Sequence, residues 1–190
     1  MPDPTDAVLG FAQPASKAAE PSLGLPFRPS PARLLQALDL QACLALDGAA
    51  LGGFWSESQW RSELEGAGRL CLGIDQPNPG APGGLVAVAC GWLVVDELHI
   101  TVLAVHPAGR RQGLGRQLLE ALLDGARARG ALHATLEVAA DNQAALALYG
   151  SCDFQTAGTR RDYYRGGQDA LIQWKRIATA ASGPLESGVC

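Results

Sequence analysis

The sequence predicts an α/β (α+β) protein in which helices cover both faces of one mixed β-sheet. Two observations predict this class. Apolar runs of strand length recur along the chain, and segments with the helical spacing of apolar residues lie between several of them. The predicted order is two helices followed by β-β-β-α-β-α-β-β, and such helices must pack on the sheet to bury their apolar stripes. A chain of 190 residues, 47% of them hydrophobic, is long enough for one well-buried core.

The first third of the chain predicts a tail and two helices. Residues 1–31 hold seven prolines among Ala, Ser and Asp, a composition that predicts disorder because little apolar surface is available to offset the ordering entropy. Ser30-Pro31 supplies a cap and an N1 proline for a first helix that ends near Leu46. The segment Ser56-Glu-Ser-Gln59 is a capping-box pattern, which predicts a short second helix through Leu64.

The rest of the chain predicts strands and two further helices. Residues 69–74 form a short strand, the Pro- and Gly-rich stretch 76–84 forms a loop, and 85–95 and 98–106 form an antiparallel hairpin that turns at 96–97. Leu114, Leu118, Leu122 and Ala126 place one apolar stripe on a helix over 112–129, which Gly130 ends. The remaining elements are a strand at 131–139, a helix at 142–150, strands near 153–164 and 169–177, and a flexible tail at 178–190.

Charge and cysteine usage restrict the class of protein. The net charge is −4 and the pI is near 5.3, which argues against a nucleic acid as the main ligand. No apolar run is long enough to span a bilayer, and the N-terminus lacks the apolar core of a secretory signal. The five cysteines have no C-x-x-C spacing, so reduced thiols are a simpler interpretation than disulfides or a metal site. We therefore expect a soluble cytoplasmic protein without a membrane partner.

Residues 103–119 carry the strongest chemical signal. An apolar strand breaks at Pro107, and a basic, glycine-rich turn leads directly into the helix predicted at 112–129. Free N–H groups at a helix N-terminus favour an anion, and Gly113 and Gly115 lack a Cβ that would hold a phosphate away from the main chain. The segment fits neither the Walker loop nor the dinucleotide fingerprint. The alternative is a strand–helix turn with a solvated basic rim.

Residues 110–115 match the pattern Arg/Gln-x-x-Gly-x-Gly/Ala, the pyrophosphate loop of the GNAT acetyltransferases. Further segments resemble the RimI-type ribosomal-protein-alanine N-acetyltransferases of that superfamily, in the same order along the chain. They are Phe54-Trp-Ser-Glu57, Leu136-Glu-Val138, Asp141-Asn142, Ala145-Leu-Ala-Leu-Tyr149, Arg160-Arg-Asp-Tyr-Tyr164 and Asp169-Ala-Leu-Ile172. The resemblance covers about residues 32–177, which it identifies as the acetyltransferase domain. It implies a mixed, mostly antiparallel sheet that splays between its two central parallel strands.

The resemblance also implies acetyl-CoA as the co-substrate and no metal. The backbone of Leu103, Ala104 and Val105 would pair with the pantetheine arm as a further strand does. The pyrophosphate would lie on the glycine-rich loop, formed by Arg110, Arg111, Gln112, Gly113, Leu114, Gly115 and Arg116. Asn142 is implied to contact the co-substrate, and either Asp141 or Asn142 can also serve as the N-cap of the helix at 142–150.

Two residues are candidates for proton transfer. Strand 131–139 alternates, so Glu137 lies on its polar face near the C-terminal end, where open α/β sheets place ligands. Taken alone, this pattern favours a solvent-facing glutamate, and Tyr149 taken alone is a core tyrosine of a small-residue helix. The resemblance implies instead that Glu137 takes a proton from the acceptor amine and that the Tyr149 hydroxyl protonates the departing CoA thiolate.

Tyr163 and Tyr164 follow Arg160-Arg161 in a predicted hairpin between the last two strands. They can be cross-strand packing residues, or, as the resemblance implies, they can line a groove for a peptide N-terminus. One familial turn glycine is replaced by Asp153, which tolerates the left-handed conformation.

The predicted function is transfer of an acetyl group to the N-terminal α-amine, most simply of alanine, of a small-subunit ribosomal protein by direct attack. Two alternatives stay open. One is a GNAT enzyme for a small-molecule amine or amino acid. The other is a catalytically silent acyl-CoA-binding module, against which the presence of both Glu137 and Tyr149 argues. The sequence leaves the oligomeric state open.

Overall fold

Seven strands form one mixed sheet in the computed structural model, which describes residues 30–75, 84–164 and 166–177. The strands are β1 (Arg33–Leu34), β2 (Arg69–Asp75), β3 (Leu85–Val94), β4 (Glu97–Val105), β5 (His133–Ala139), β6 (Gln155–Arg160) and β7 (Ala170–Arg176). Their order across the sheet is β1-β2-β3-β4-β5-β7-β6, and only β4 and β5 are parallel. The predictions for residues 1–29, 76–83 and 178–190 lie outside the described residues.

Four helices in the same part of the chain cover the two faces of this sheet. They are α1 (Leu40–Leu51), α2 (Glu57–Glu65), α3 (Leu114–Arg127) and α4 (Gln143–Gly150). The apolar sides of α1 and α2 pack with β2–β4 on one face, and those of α3 and α4 pack on the other face. The predicted α/β class with helices on both faces is confirmed. None of the described helices is long and apolar enough to cross a membrane.

The predicted start and end of the first helix were wrong. Residues 33–34 form β1 against β2, and α1 begins only at Leu40 and ends at Gly52, whose φ of 77° closes it. The apolar pattern misled because Leu34 and Leu38 are 54% and 79% exposed. A long-range interaction holds the segment extended instead: the Arg33 guanidinium pairs with Asp39 at 2.8 Å and also with Asp75 of β2.

The other elements follow the predicted order, and their bounds differ from the predicted ones by a few residues. The second helix begins at the predicted capping box, in which Ser56 accepts the Gln59 N–H and the Gln59 side chain accepts the Ser56 N–H. The β3–β4 turn lies at residues 95–96, one position before the prediction. Asp153 takes the predicted left-handed conformation with φ of 61°.

The sheet opens between β4 and β5. Among the described residues the two strands pair only near their N-terminal ends, and the last pair joins His99 to Thr135. A bulge at Thr101 adds one residue to β4 opposite β3, because Ile100 faces Gly91 while Val102 faces Cys90. The extra residue turns β4 away from β5, so a gap widens toward Val105 and Ala139. This arrangement confirms the predicted splay.

Candidate active site

The end of β4 presents unpaired main chain to this gap. His106 donates its N–H to Val86 of β3 at 2.8 Å. Since bonding alternates along an antiparallel ladder, Leu103 and Val105 direct their N–H and C=O groups away from β3, toward the gap. Ala104 has the opposite orientation, and its main chain faces Val88. Leu103 can therefore offer both its N–H and its C=O group to an extended ligand, whereas Val105 can offer its N–H, because its carbonyl oxygen accepts from Arg110.

The glycine-rich turn after β4 leaves the N-terminus of α3 open. Gly113 is the N-cap residue with φ of 83°, and no side chain of the described structure caps the helix. A Cβ at Gly113 would meet nothing within 4 Å, so glycine is needed here for its backbone conformation and not for packing. Arg111, at φ of 65°, also lies in the left-handed region. Left-handed backbone beside an uncapped helix N-terminus is a geometry that can bind anions.

Gly115 also has a packing role, and the prediction that it lets a phosphate approach the main chain stays a prediction. A Cβ at this position would lie 3.3 Å from Cδ2 of Leu148 on α4, tighter than most contacts of that kind. Its small size therefore lets α3 approach α4. Leu114, the residue between the two glycines, is buried in the core, which anchors the first turn of α3.

Three side chains of the loop hold it in place by donating hydrogen bonds to main-chain carbonyl oxygens. Arg110 donates to the carbonyl oxygens of Val105 at 3.3 Å and of Ala50 at 3.2 Å, which ties the loop to the end of α1. Arg116 donates to the Ser151 carbonyl at 3.2 Å, beyond α4. Gln112 donates to Ala108 O at 3.0 Å. Arg110 and Arg116 therefore brace the loop while their charge remains beside the N-terminus of α3.

Asn142 is the N-cap of α4, since its side-chain oxygen accepts the Ala145 N–H at 3.1 Å. Of the two residues predicted as possible caps, this one has the role. Asp141 instead accepts from the Gln168 amide at 2.9 Å, which joins the β5–α4 turn to the β6–β7 loop. The prediction that Asn142 also contacts the co-substrate stays a prediction.

Glu137 lies where the sheet has opened. It is on β5 two residues beyond Thr135, the last residue paired with β4, and it shares the face of Thr135 that is opposite the α3 and α4 core. Its side chain is 18% exposed. The carboxylate is thus largely desolvated but reachable from one side, as a proton acceptor in a groove must be.

Tyr163 and Tyr164 belong to the β6–β7 loop, next to the Glu137 carboxylate. Their rings meet edge to face with the ring centres 5.3 Å apart. Burial raises the pKa of Tyr163, and the negative charge of Glu137 adds to the shift. Burial and the same carboxylate also raise the pKa of Tyr164. Both predicted substrate residues therefore lie near Glu137, and both are protonated at neutral pH.

Tyr149 lies in the core at the end of α4, fully buried, with its ring 5.7 Å from that of Phe154. Burial raises its pKa well above the ordinary value, and Tyr164 and Cys152 add smaller contributions. The hydroxyl is therefore protonated at neutral pH. Tyr164 of the β6–β7 loop thus adds to the shift at Tyr149, and the prediction that Tyr149 protonates the CoA thiolate stays a prediction.

Sequence reasoning assigned no individual role to Arg160, although the structure places it beside Glu137 and Tyr163. Its guanidinium Nη2 lies 3.3 Å from Oε1 of Glu137, and its Cζ lies 5.4 Å from the centre of the Tyr163 ring. The available signal was its position in the strand predicted near 153–164, but strand pairing alone does not specify this contact. Among the described residues no cluster of His, Cys, Asp and Glu is placed to hold a metal ion.

Comparisons with known proteins agree with this geometry. The Acetyltransferase (GNAT) family model matches residues 40–154. The chain is 39% identical over 141 residues to the ribosomal protein bS18 alanine N-acetyltransferase of Escherichia coli K12, a match covering 73% of this chain and 91% of that protein. It is 51% identical over 75 residues to the N-alpha-acetyltransferase RimI of Mycobacterium tuberculosis, over 39% of this chain and 46% of that one.

Solved structures share the fold. The crystal structure of the ribosomal-protein-S18-alanine N-acetyltransferase from Escherichia coli superposes with a TM-score of 0.71 at 36% identity, covering 80% of this chain and 97% of that one. Arabidopsis thaliana NAA60 in complex with acetyl-CoA gives a TM-score of 0.67 at 15% identity over 77% and 97% of the two chains, a likeness of fold. With the splayed sheet, the open N-terminus of α3 and these matches, the chain belongs to the GNAT family of acetyltransferases.

Proposed function

We propose that this enzyme transfers the acetyl group of acetyl-CoA to the N-terminal α-amine of a protein, with the N-terminal alanine of small-subunit ribosomal protein S18 as its acceptor. The observation that carries the proposal is the position of Glu137, a largely desolvated carboxylate at the open end of the β4–β5 gap, beside Tyr163 and Tyr164. The name of the Escherichia coli relative supports the choice of acceptor. This acceptor implies a cytoplasmic enzyme.

The donor site fits a thioester with a long amide-bearing arm and a pyrophosphate. Leu103 offers its N–H and C=O groups, and Val105 its N–H group, to the gap, which suits the amides of pantetheine. The α3 N-terminus, with Gly113 in the left-handed conformation, suits the pyrophosphate. Arg110 of the loop donates to the Val105 carbonyl at 3.3 Å, which ties the loop to the end of β4. We therefore assign the arm to β4 and the pyrophosphate to the loop.

The chemistry follows from the protonation states. A free α-amine has a pKa near 7.7–8.0, against about 10.4 for a lysine side chain, so an α-ammonium loses its proton more readily at neutral pH. Glu137 accepts that proton, and the neutral amine attacks the thioester carbonyl directly. A main-chain N–H at the end of β4 stabilises the oxyanion. The C–S bond then breaks, and the CoA thiolate takes a proton from the Tyr149 hydroxyl. The proton that the new amide nitrogen must lose returns, through solvent, to Tyr149 and restores its hydroxyl.

Incubation of the purified enzyme with a ribosomal fraction and isotopically labelled acetyl-CoA tests the proposal. We expect mass spectrometry to find one labelled acetyl group, on the N-terminal residue of S18. Glu137→Gln should remove most of the label, whereas Glu65→Gln, on the exposed part of α2, should leave it in place.

The same experiment separates the alternatives. Label on internal lysines would contradict an α-amine acceptor, and label only on added small amines or free amino acids would contradict a protein acceptor. The matched control is a pair of synthetic peptides of the same sequence. Both begin with alanine, and one of them is blocked at its N-terminal amine. Acetylation of the blocked peptide would overturn the proposal.

A further inference from the structure

The contact between Arg160 and Glu137 is weak by its geometry. One guanidinium nitrogen approaches one carboxylate oxygen at 3.3 Å, which is longer than the usual charge-assisted hydrogen bond and is not bidentate. The Arg160 side chain is 52% exposed, and it rests over the Tyr163 ring at the edge of the groove. A half-exposed single contact of this kind contributes little free energy and is readily broken.

The partner of this weak contact is the carboxylate that the proposed reaction needs. Guanidinium keeps its positive charge at every physiological pH, so it competes for Glu137 with any cation that enters the groove. An α-ammonium carries the same charge and can replace it. A water molecule carries no charge and cannot replace the Arg160 guanidinium beside Glu137. Within the part of the chain that the structure describes, the titratable groups that face Glu137 besides Arg160 are Tyr163 and Tyr164, both protonated at neutral pH.

Resting on the proposed function, we infer that Arg160 is a specificity-determining residue that holds Glu137 until an acceptor amine displaces it. While the guanidinium occupies the carboxylate, Glu137 does not deprotonate a water molecule in the groove. Such a water would otherwise attack the thioester carbonyl, the C–S bond would break, and acetate and free CoA would form without any acceptor. Arg160 thereby favours amines over water as nucleophiles.

Hydrolysis of acetyl-CoA without acceptor is the direct test, with release of free CoA followed at saturating acetyl-CoA. Arg160→Gln should raise the hydrolysis rate about two- to fivefold, the span expected for one exposed ion pair. It should lower KM for an alanine-terminated peptide by a similar factor and leave kcat nearly unchanged. Arg160→Lys should retain the wild-type rates. Arg161→Gln removes the same charge from the neighbouring exposed residue and should change neither quantity.

A double variant shows whether the effect passes through the carboxylate. In a Glu137→Gln background, Arg160→Gln should add no hydrolysis. Independently of any variant, hydrolysis by the wild-type enzyme at saturating acetyl-CoA should rise with salt, because salt weakens an exposed ion pair. The inference is overturned if Arg160→Gln does not raise hydrolysis, if Arg161→Gln raises it equally, or if the increase persists without Glu137. Since hydrolysis needs no acceptor, a failure of the proposed acceptor would appear only in the peptide assay.

Discussion

The indole N–H of Trp60 on α2 donates to Oδ2 of Asp47 on α1 at 2.8 Å, in the interior of the helical layer over β2–β4. The same carboxylate accepts the backbone N–H groups of Phe54 at 2.8 Å and Trp55 at 2.9 Å. Asp47 is almost completely buried. One side chain therefore joins the end of α1, the α1–α2 connection and the middle of α2.

Replacement of Asp47 should destabilise the fold more than an ordinary surface change. Asp47→Ala removes three hydrogen bonds to a charged group and leaves buried N–H groups without an acceptor, so we expect a loss of about 3 kcal/mol in the free energy of unfolding. Urea denaturation measures it. Asp124→Asn, at an exposed position of α3, is the control and should change stability by less than about 0.5 kcal/mol. A small effect of Asp47→Ala would mean that water replaces the carboxylate in the folded state.

The ionisation of Asp39 should make the free energy of unfolding depend on pH under acidic conditions. The hydrogen bond from Arg33 holds the pKa of the Asp39 carboxyl below its ordinary value, and the Gln36 N–H adds to the shift against the opposing effect of burial. Because the folded-state pKa is lowered, the stabilisation is complete above the unfolded pKa of about 3.9 and is lost as pH falls through the folded value.

Asp39→Asn should accordingly lower the free energy of unfolding at pH 7 by about 1–3 kcal/mol, and the difference from wild type should narrow below about pH 4. Thermal melts of the two proteins from pH 3 to pH 7 measure this. A difference that stays constant over the whole range would show that the amide, and not the lost charge, causes it.

The Arg33–Asp39–Asp75 cluster also shows where sequence reasoning about the fold reached its limit. The order of the elements, the alternation on β5 and the stripe on α3 could be predicted, because periodicity records which face of an element is buried. The first helix could not, because Arg33 is held by Asp75, which lies 42 positions away. A propensity argument sees neighbours in sequence, and this extended segment depends on a neighbour in space.

The candidate site, like the fold, contains residues that the sequence could predict and residues that it could not. Residues whose role depends on backbone conformation, such as Gly113, could be predicted from the loop pattern. Gly115 shares that pattern, but its packing against Leu148 depends on how α3 and α4 meet. The contact of Arg160 with Glu137 depends on the β5–β7–β6 register, which no local pattern encodes.

Gly113 offers a test of the donor site. Gly113→Val places a branched side chain at a φ of 83°, so the backbone must shift and the N–H groups of the α3 N-terminus lose their common direction. We expect the affinity for acetyl-CoA to fall at least about tenfold, measured by titration calorimetry, while the domain stays folded.

Gly130→Val is the matched control. Gly130 has a similar φ of 94° and equally open surroundings, but it follows the other end of α3. Its replacement should cost comparable stability and leave acetyl-CoA affinity unchanged. Equal affinity losses in the two variants would mean that backbone strain, and not the loop, weakens binding.

The two proposed proton-transfer roles should separate in their dependence on pH. If Glu137 removes the proton from the amine, Glu137→Gln should lower kcat by about 10²–10⁴-fold with acetyl-CoA affinity close to normal. The defect should shrink as pH rises, because more of the α-amine is then already neutral. Tyr149→Phe should also lower kcat, but high pH should not restore it in the same way, since its proposed role is to donate a proton to the thiolate.

The measurement is the pH–rate profile of each single variant and of the double variant on an alanine-terminated peptide. Two groups that serve one transition state should give defects that are less than additive. Thermal melts must show that Tyr149→Phe still folds, because the ring lies in the core. Full activity of Glu137→Gln at neutral pH would reduce Glu137 to a strand residue that Arg160 happens to contact. Rescue of Tyr149→Phe by high pH to the same degree as Glu137→Gln would remove the assignment of Tyr149 as the acid.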